Sequence, residues 1–155
     1  PMPPVAAAFE TIGLAKVSKS AFEAKGLGFL RPTDSITFNR DRLLANAKAK
    51  ALELAAGYRP PEPVKLTLPG PAGKAALGLM LRDLRAKGEA SAHDETVAGA
   101  LAEVITGGVR ADPTEPVSED EVLRLERSAF MLLVKSEATL ARMEHMLETG
   151  KPLRN

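Results

Sequence analysis

The 155-residue chain carries 21 Lys and Arg against 20 Asp and Glu, so its formal net charge is +1, and it holds no cysteine. This balance gives no reason to expect a nucleic acid or an anionic membrane as partner, and the absence of thiols excludes disulfides, thiolate metal sites and a cysteine nucleophile. No apolar run approaches the roughly 20 residues of a membrane span, and no basic region of a signal peptide precedes the first apolar residues. We therefore expect a cytoplasmic protein.

The first third of the chain is predicted to form three helices. Residues 3–15 place apolar side chains at helical spacing, and residues 20–28 open with Ser20 and Glu23 at the spacing of a capping box. Residues 39–57 form a longer helix that Asn39 caps. Its apolar stripe consists of Leu43, Leu44, Ala47, Ala51 and Leu54. The alternating residues 35–38 are a candidate for a short strand, and residues 64–68 are also strand-like.

Residues 58–70 are rich in proline and are interpreted as an extended linker. Four further helices are predicted after this linker, at residues 71–87, 92–106, 119–134 and 137–149. Ser91, Ser118 and Ser136 stand at three of their starts. The helix at 119–134 is expected to bury Val122, Leu125, Ala129, Leu132 and Leu133. The fold class is therefore mainly α, a bundle of about six to seven helices with at most one short strand.

The stretch LPGPAGKAALGLMLRDL, residues 68–84, superficially resembles a phosphate-binding loop. A Walker loop needs four residues between its glycines and a hydroxyl after its lysine, but only two residues lie between Gly70 and Gly73, and Ala75 follows Lys74. Pro71 also lacks a backbone N–H. The stretch is interpreted as a proline-started helix, with a weak phosphate contact by Lys74 left open.

Other polar and sulfur-containing residues have ordinary structural explanations. His93 and His145 are expected at polar surface positions of helices. The one His-x-x-Glu pair, His145 with Glu148, is not by itself a metal site. The acidic run 118–121 suits the positive end of a helix dipole. The helical methionines are expected in the core rather than in a ligand groove: Met80, Met131, Met143 and Met146. The residues alone favour an interaction or structural module over an enzyme.

Three stretches of the chain carry a family resemblance. Residues 8–30 resemble the helix–loop–helix that follows the catalytic core in enoyl-CoA hydratases of the crotonase superfamily, with Ala21, Glu23, Ala24 and Gly28 on the pattern. Residues 28–52 and 125–155 resemble the C-terminal end of large bacterial 3-hydroxyacyl-CoA dehydrogenases of fatty-acid β-oxidation. These multidomain proteins join an NAD-binding part to an enoyl-CoA hydratase-like part.

The resemblance implies a C-terminal piece of such a protein. Residues 1–57 would be the last helices of a crotonase-like part, 58–70 a linker and 71–155 a helical extension. The family's glycine loop is absent and its catalytic acids lie upstream, so no catalytic, cofactor-binding or metal-binding residue is assigned here. NAD and acyl-CoA are implied for the parent protein alone.

The piece is expected to cover the acyl-CoA pocket, to build subunit contacts in a homo-oligomer and to be inactive alone. It should also expose apolar surface, so that self-association follows. One alternative is a freestanding helical protein-interaction module, and another is an acyl-CoA-binding module. For the latter, Lys16, Lys19, Lys25 and Lys74 are candidates to meet the CoA phosphates.

Overall fold

The computed structural model describes residues 2–155 and confirms a mainly α-helical fold. Each helix start predicted after residue 58 lies within one residue of its observed position, because proline and serine mark those starts locally. The helices of the described part are α1 Met2–Gly13, α2 Ala21–Gly26, α3 Leu43–Ala55, α4 Gly70–Ala86, α5 Ala92–Ile105, α6 Glu119–Leu133 and α7 Glu137–Thr149. A single 3-10 turn, Arg40–Arg42, precedes α3.

Two strands of two residues each occur in the described part, where at most one was expected. β1 (Lys65–Leu66) pairs antiparallel with β2 (Val117–Ser118), with Lys65 opposite Ser118 and Leu66 opposite Val117. Residues 35–38, the predicted strand, have no regular secondary structure. Alternation over four residues does not make a strand without a second segment to accept its backbone hydrogen bonds.

The chain divides into two compact units. The larger unit combines residues 2–14 with 63–155, and the smaller unit comprises residues 15–62. The sequence prediction instead grouped residues 1–57 and so placed α1 with α2 and α3. The structure groups α1 with the C-terminal helices, because its apolar face packs into their core.

The core of the larger unit is formed by α1, α4 and α5. Val5 and Phe9 of α1 pack with Leu77 and Leu81 of α4 and with Ala102 of α5. Leu77 is completely buried. Full burial of a side chain of this size stabilises the fold by about 1.5–3 kcal/mol.

The smaller unit has a local capping arrangement at the start of α2. The Ser20 hydroxyl accepts a hydrogen bond from the Glu23 backbone N–H at 3.1 Å, and the Glu23 carboxylate accepts one from the Lys19 N–H at 2.6 Å. Ala24 is buried on this helix, whereas nearly every residue of α3 is exposed. The predicted apolar stripe of α3 is therefore a surface feature.

Large apolar surfaces are open in the larger unit as well. Every residue of α6 and α7 is half-buried or exposed, and Leu132, predicted to be buried, is 71% exposed. The expectation of exposed apolar surface is confirmed. The prediction that Leu132 is buried was wrong, because the apolar stripe of α6 is wider than the surface that α5 covers. Among the described helices none has the length and hydropathy to cross a membrane.

Candidate functional site: an apolar groove with an acidic rim

The glycines of the phosphate-loop-like stretch serve backbone packing. Gly70 has φ +60°, and a Cβ placed there would collide with the backbone carbonyl of Ala111. Its N–H donates to the Thr106 carbonyl oxygen at 2.9 Å. Since Pro71 has no N–H, the first turn of α4 presents little donor capacity for a phosphate.

Lys74 forms an ion pair inside the larger unit. Its ammonium nitrogen lies 2.5 Å from Glu103 Oε2, and Glu103 Oε1 accepts a hydrogen bond from the Val109 N–H at 3.1 Å. This arrangement ties α4 to α5 and to the loop after it. The weak phosphate contact considered for Lys74 would require this pair to break.

The other three lysines considered for CoA phosphates lie in the smaller unit, on or just before α2. Lys25 donates through its ammonium to the Pro32 carbonyl oxygen at 2.8 Å. Lys19 uses its backbone N–H in the α2 cap. Lys16 is half-buried. None of these three lysines lines either of the two pockets found in the larger unit.

The two histidines occupy different environments. His93 is buried, with Nε2 2.9 Å from Thr139 Oγ1, so the expectation of a surface position was wrong for this residue. Its contact partner lies 46 residues further along the sequence, so a short stretch of sequence does not reveal the contact. His145 is half-buried on α7, and its carbonyl oxygen accepts a bond from Thr149 Oγ1 at 2.7 Å.

The larger unit contains an apolar groove of about 900 Å³. Four helices supply its walls, α1, α4, α5 and α6, and one residue of α7 reaches it. The large apolar side chains of the groove are Phe9, Ile12, Leu14, Met80, Leu81, Leu84, Val97, Leu101, Val104, Ile105, Val122, Phe130 and Leu133.

Several of these side chains face solvent in this structure. Ile12, Leu14 and Phe130 are each more than half exposed, and Met80 is 42% exposed. The prediction that the methionines fill the core was wrong: Met80 lines the groove, and Met131, Met143 and Met146 are also exposed. Helical periodicity marks an apolar face but does not say whether that face is covered.

Carboxylates lie among the lining residues of the groove. Its lining includes Glu10, Asp83, Glu89, Asp94 and Glu126, whereas Arg142 is the one cationic residue among the lining residues. Asp94 lies 2.8 Å from Arg142, and Asp83 lies 2.6 Å from Lys87, so these two charges are balanced. Glu89 and Glu126 form no ion pair within the described residues, so the groove keeps a net negative charge.

Asp94 is held ionised at one end of the groove. Partial burial acts to raise the pKa of its carboxyl, but hydrogen bonds from the Ser91 backbone N–H and from Arg142 outweigh burial and hold the pKa below its ordinary value. The Ser91 hydroxyl in turn accepts from the Asp94 N–H at 3.0 Å. These contacts join the start of α5 to α7.

The C-terminal residues form hydrogen bonds at the same end of the larger unit. Arg154 donates to the carbonyl oxygens of Gly88 and Glu89, at 3.1 and 2.6 Å. Asn155 accepts from Arg142 Nε at 2.7 Å and donates to the Ala138 carbonyl at 3.0 Å. The tail therefore fixes the α4–α5 loop and Arg142, both of which border the groove.

Comparison with known proteins gives one informative match. No family model and no solved structure matches the sequence. Over 156 aligned residues, the chain is 46% identical to a Bacillus subtilis (strain 168) protein named probable 3-hydroxyacyl-CoA dehydrogenase. The alignment covers 100% of this chain and 20% of that protein. The chain is thus similar, along its whole length, to about one fifth of a protein of that name.

Proposed function

We propose that these 155 residues form a segment of a larger 3-hydroxyacyl-CoA dehydrogenase of fatty-acid β-oxidation and serve there in packing and assembly rather than in catalysis. The observation that carries this proposal is the 46% identity over the entire chain to one fifth of a probable 3-hydroxyacyl-CoA dehydrogenase. Identity at this level along the whole segment supports a common fold and a common place in the larger protein.

The unfilled groove supports a packing role. A contiguous apolar surface rimmed by polar residues is typical of an interaction site. In the proposal, this surface is covered by the remainder of the protein and the segment helps to enclose the acyl-CoA site. The exposed apolar faces of α3, α6 and α7 supply further area for contacts between subunits.

The resemblance of residues 8–30 to the helices after a crotonase core extends the proposal. On this ground the proposal includes an enoyl-CoA hydratase-related part next to this segment in the larger protein. NAD and acyl-CoA would bind outside the 155 residues, and we assign no residue of this segment to either ligand. The acidic rim of the groove agrees with this, since it would repel the phosphates of CoA.

The proposal is tested by the intact mass and the activity of the natural gene product. We expect a mass several times this chain's 16.4 kDa and NAD-dependent oxidation of 3-hydroxyacyl-CoA, measured as NADH absorbance. The isolated 155-residue chain is the control and should show no activity. A natural product of about 16.4 kDa without this activity would contradict the proposal and favour the freestanding interaction module.

A further inference from the structure

The groove carries one carboxylate in the middle of its apolar wall. Val122, Glu126 and Phe130 follow one another at four-residue intervals on α6, so they share one face of the helix, and all three line the groove. Within residues 2–155 the Glu126 carboxylate forms no ion pair. The carboxylate is hydrated as long as the groove stays open.

Covering the groove changes the energetics of Glu126. An occupant that excludes water from Val122 and Phe130 also removes water from the carboxylate between them. Burying an unpaired carboxylate is strongly unfavourable. The occupant must therefore either leave this position wet or bring a cation to it.

This requirement discriminates between classes of occupant. A fatty acyl chain offers apolar contact but no cation, and the CoA phosphates would meet a further carboxylate at Glu89. A protein segment can supply Lys or Arg among apolar side chains. Because the groove lies between helices, the segment that fits it is an amphipathic helix, whose side-chain ridges pack between those of α1, α4, α5 and α6.

We infer that the groove is the docking site of an amphipathic helix from the larger polypeptide, with a Lys or Arg between apolar anchors that pairs with Glu126. The inference rests on the proposed function, because the source of the helix is the four fifths of the related protein outside the present alignment. Negative charge around the groove selects a basic helix, and the apolar walls supply the area for docking.

Photo-crosslinking in the full-length natural protein tests the inference. A Phe130→p-benzoylphenylalanine variant places the probe in the groove, and a Leu147→p-benzoylphenylalanine variant is the control, since Leu147 is 85% exposed and does not line the groove. We expect the probe at position 130 to cross-link to one peptide outside the 155 residues. Mass spectrometry should show Lys or Arg in that peptide among apolar residues at helical spacing.

A charge reversal adds a second readout. Glu126→Lys should lower the cross-link yield from position 130 by about tenfold or more, whereas Glu126→Gln should have a smaller effect. Glu126 is exposed, so neither substitution threatens the fold of this segment. Equal yields in the three proteins would overturn the pairing with Glu126.

Other outcomes separate this inference from the proposed function. A large natural protein in which position 130 cross-links only to a second copy of this segment, or no more than position 147, would overturn the inference alone. A natural product of about 16.4 kDa would overturn both, since no further chain would then exist to supply the helix.

Discussion

At the scale of single residues, Gly70 has a structural role that differs from the phosphate-binding role its sequence context suggests. In sequence it belongs to a glycine–lysine stretch that precedes a helix. In the structure it takes a positive φ and approaches the backbone of Ala111 so closely that a side chain has no room. The lysine of the stretch binds Glu103. Lys74 thus holds α4 against α5, and Gly70 holds α4 against the segment that follows α5.

Replacing Gly70 by alanine is expected to destabilise the chain. The Gly70→Ala variant forces a side chain into left-handed backbone, which costs about 1–2 kcal/mol, and adds the collision with Ala111. Urea unfolding should show a total loss of about 2 kcal/mol or more. The control is Gly78→Ala on the same helix, where a Cβ meets open space. That variant should be neutral or more stable by up to about 1 kcal/mol.

Asp94 makes the stability of the larger unit depend on pH. Its folded-state pKa lies below the ordinary value of 3.8, so its stabilising contribution is present above that value and is lost as the pH falls through the folded-state pKa. Asp94→Asn should therefore be less stable than the wild type at pH 7. The difference should shrink in unfolding experiments below about pH 3.8. A difference that stays constant from neutral to strongly acidic pH would contradict this role of the carboxylate.

At the scale of secondary-structure elements, the starts of α5 and α6 are fixed by capping boxes. In α6 the Ser118 hydroxyl accepts from the Glu121 N–H at 3.3 Å, and the Glu121 carboxylate accepts from the Ser118 N–H at 2.9 Å. Hydrogen bonds donated to the Glu121 carboxylate by the Ser118 backbone N–H and by the Ser118 hydroxyl hold the pKa of Glu121 below its ordinary value. Ser136 stands at the same position before α7 but makes no capping hydrogen bond through its side chain there.

The two serines therefore make a matched pair of substitutions. Ser118→Ala should lower the free energy of unfolding by about 1 kcal/mol, because a backbone N–H of α6 loses its acceptor. Ser136→Ala should cost only a few tenths of that amount. Thermal or urea unfolding of both variants measures the contrast, and equal losses would show that the capping bond of α6 adds nothing.

At the scale of the whole molecule, exposed apolar surface distinguishes this chain from a protein with a complete core. Phe38, Leu44 and Leu147 are each more than four fifths exposed. Single exposed hydrophobic residues are normal, but contiguous faces such as those of α6 and the groove indicate a partner surface. The same surface supports the proposal of a segment within a larger protein.

The isolated chain is consequently expected to self-associate. Sedimentation velocity at tens of micromolar protein should give a mass above the 16.4 kDa of one chain. The double variant Phe130→Ser, Leu132→Ser should shift the distribution toward the monomer, because both residues are exposed on α6. In the larger protein that we propose, the groove would be filled, and the same substitutions should instead weaken the packing there. A monodisperse monomer of the unaltered chain would contradict this expectation.

The sequence by itself determined the helical class and most helix boundaries. These follow from hydrogen bonds and steric limits within one turn: Ser91 with Asp94, Ser118 with Glu121, Pro71 at the start of α4 and a left-handed Gly150 after α7. Each involves residues at most four positions apart, so a short stretch of sequence contains all the partners.

The tertiary structure alone decided which apolar faces are covered and which residues meet. The pairing of β1 with β2, the His93–Thr139 contact and the Lys74–Glu103 ion pair join segments 29 or more residues apart. The groove likewise arises from four helices that each carry an apolar stripe. The stripe of α4 is buried at Leu77, whereas the stripe of α6 is exposed at Phe130. Periodicity gives each helix an apolar face, but only the packing of the helices against one another fixes how much of that face loses contact with water.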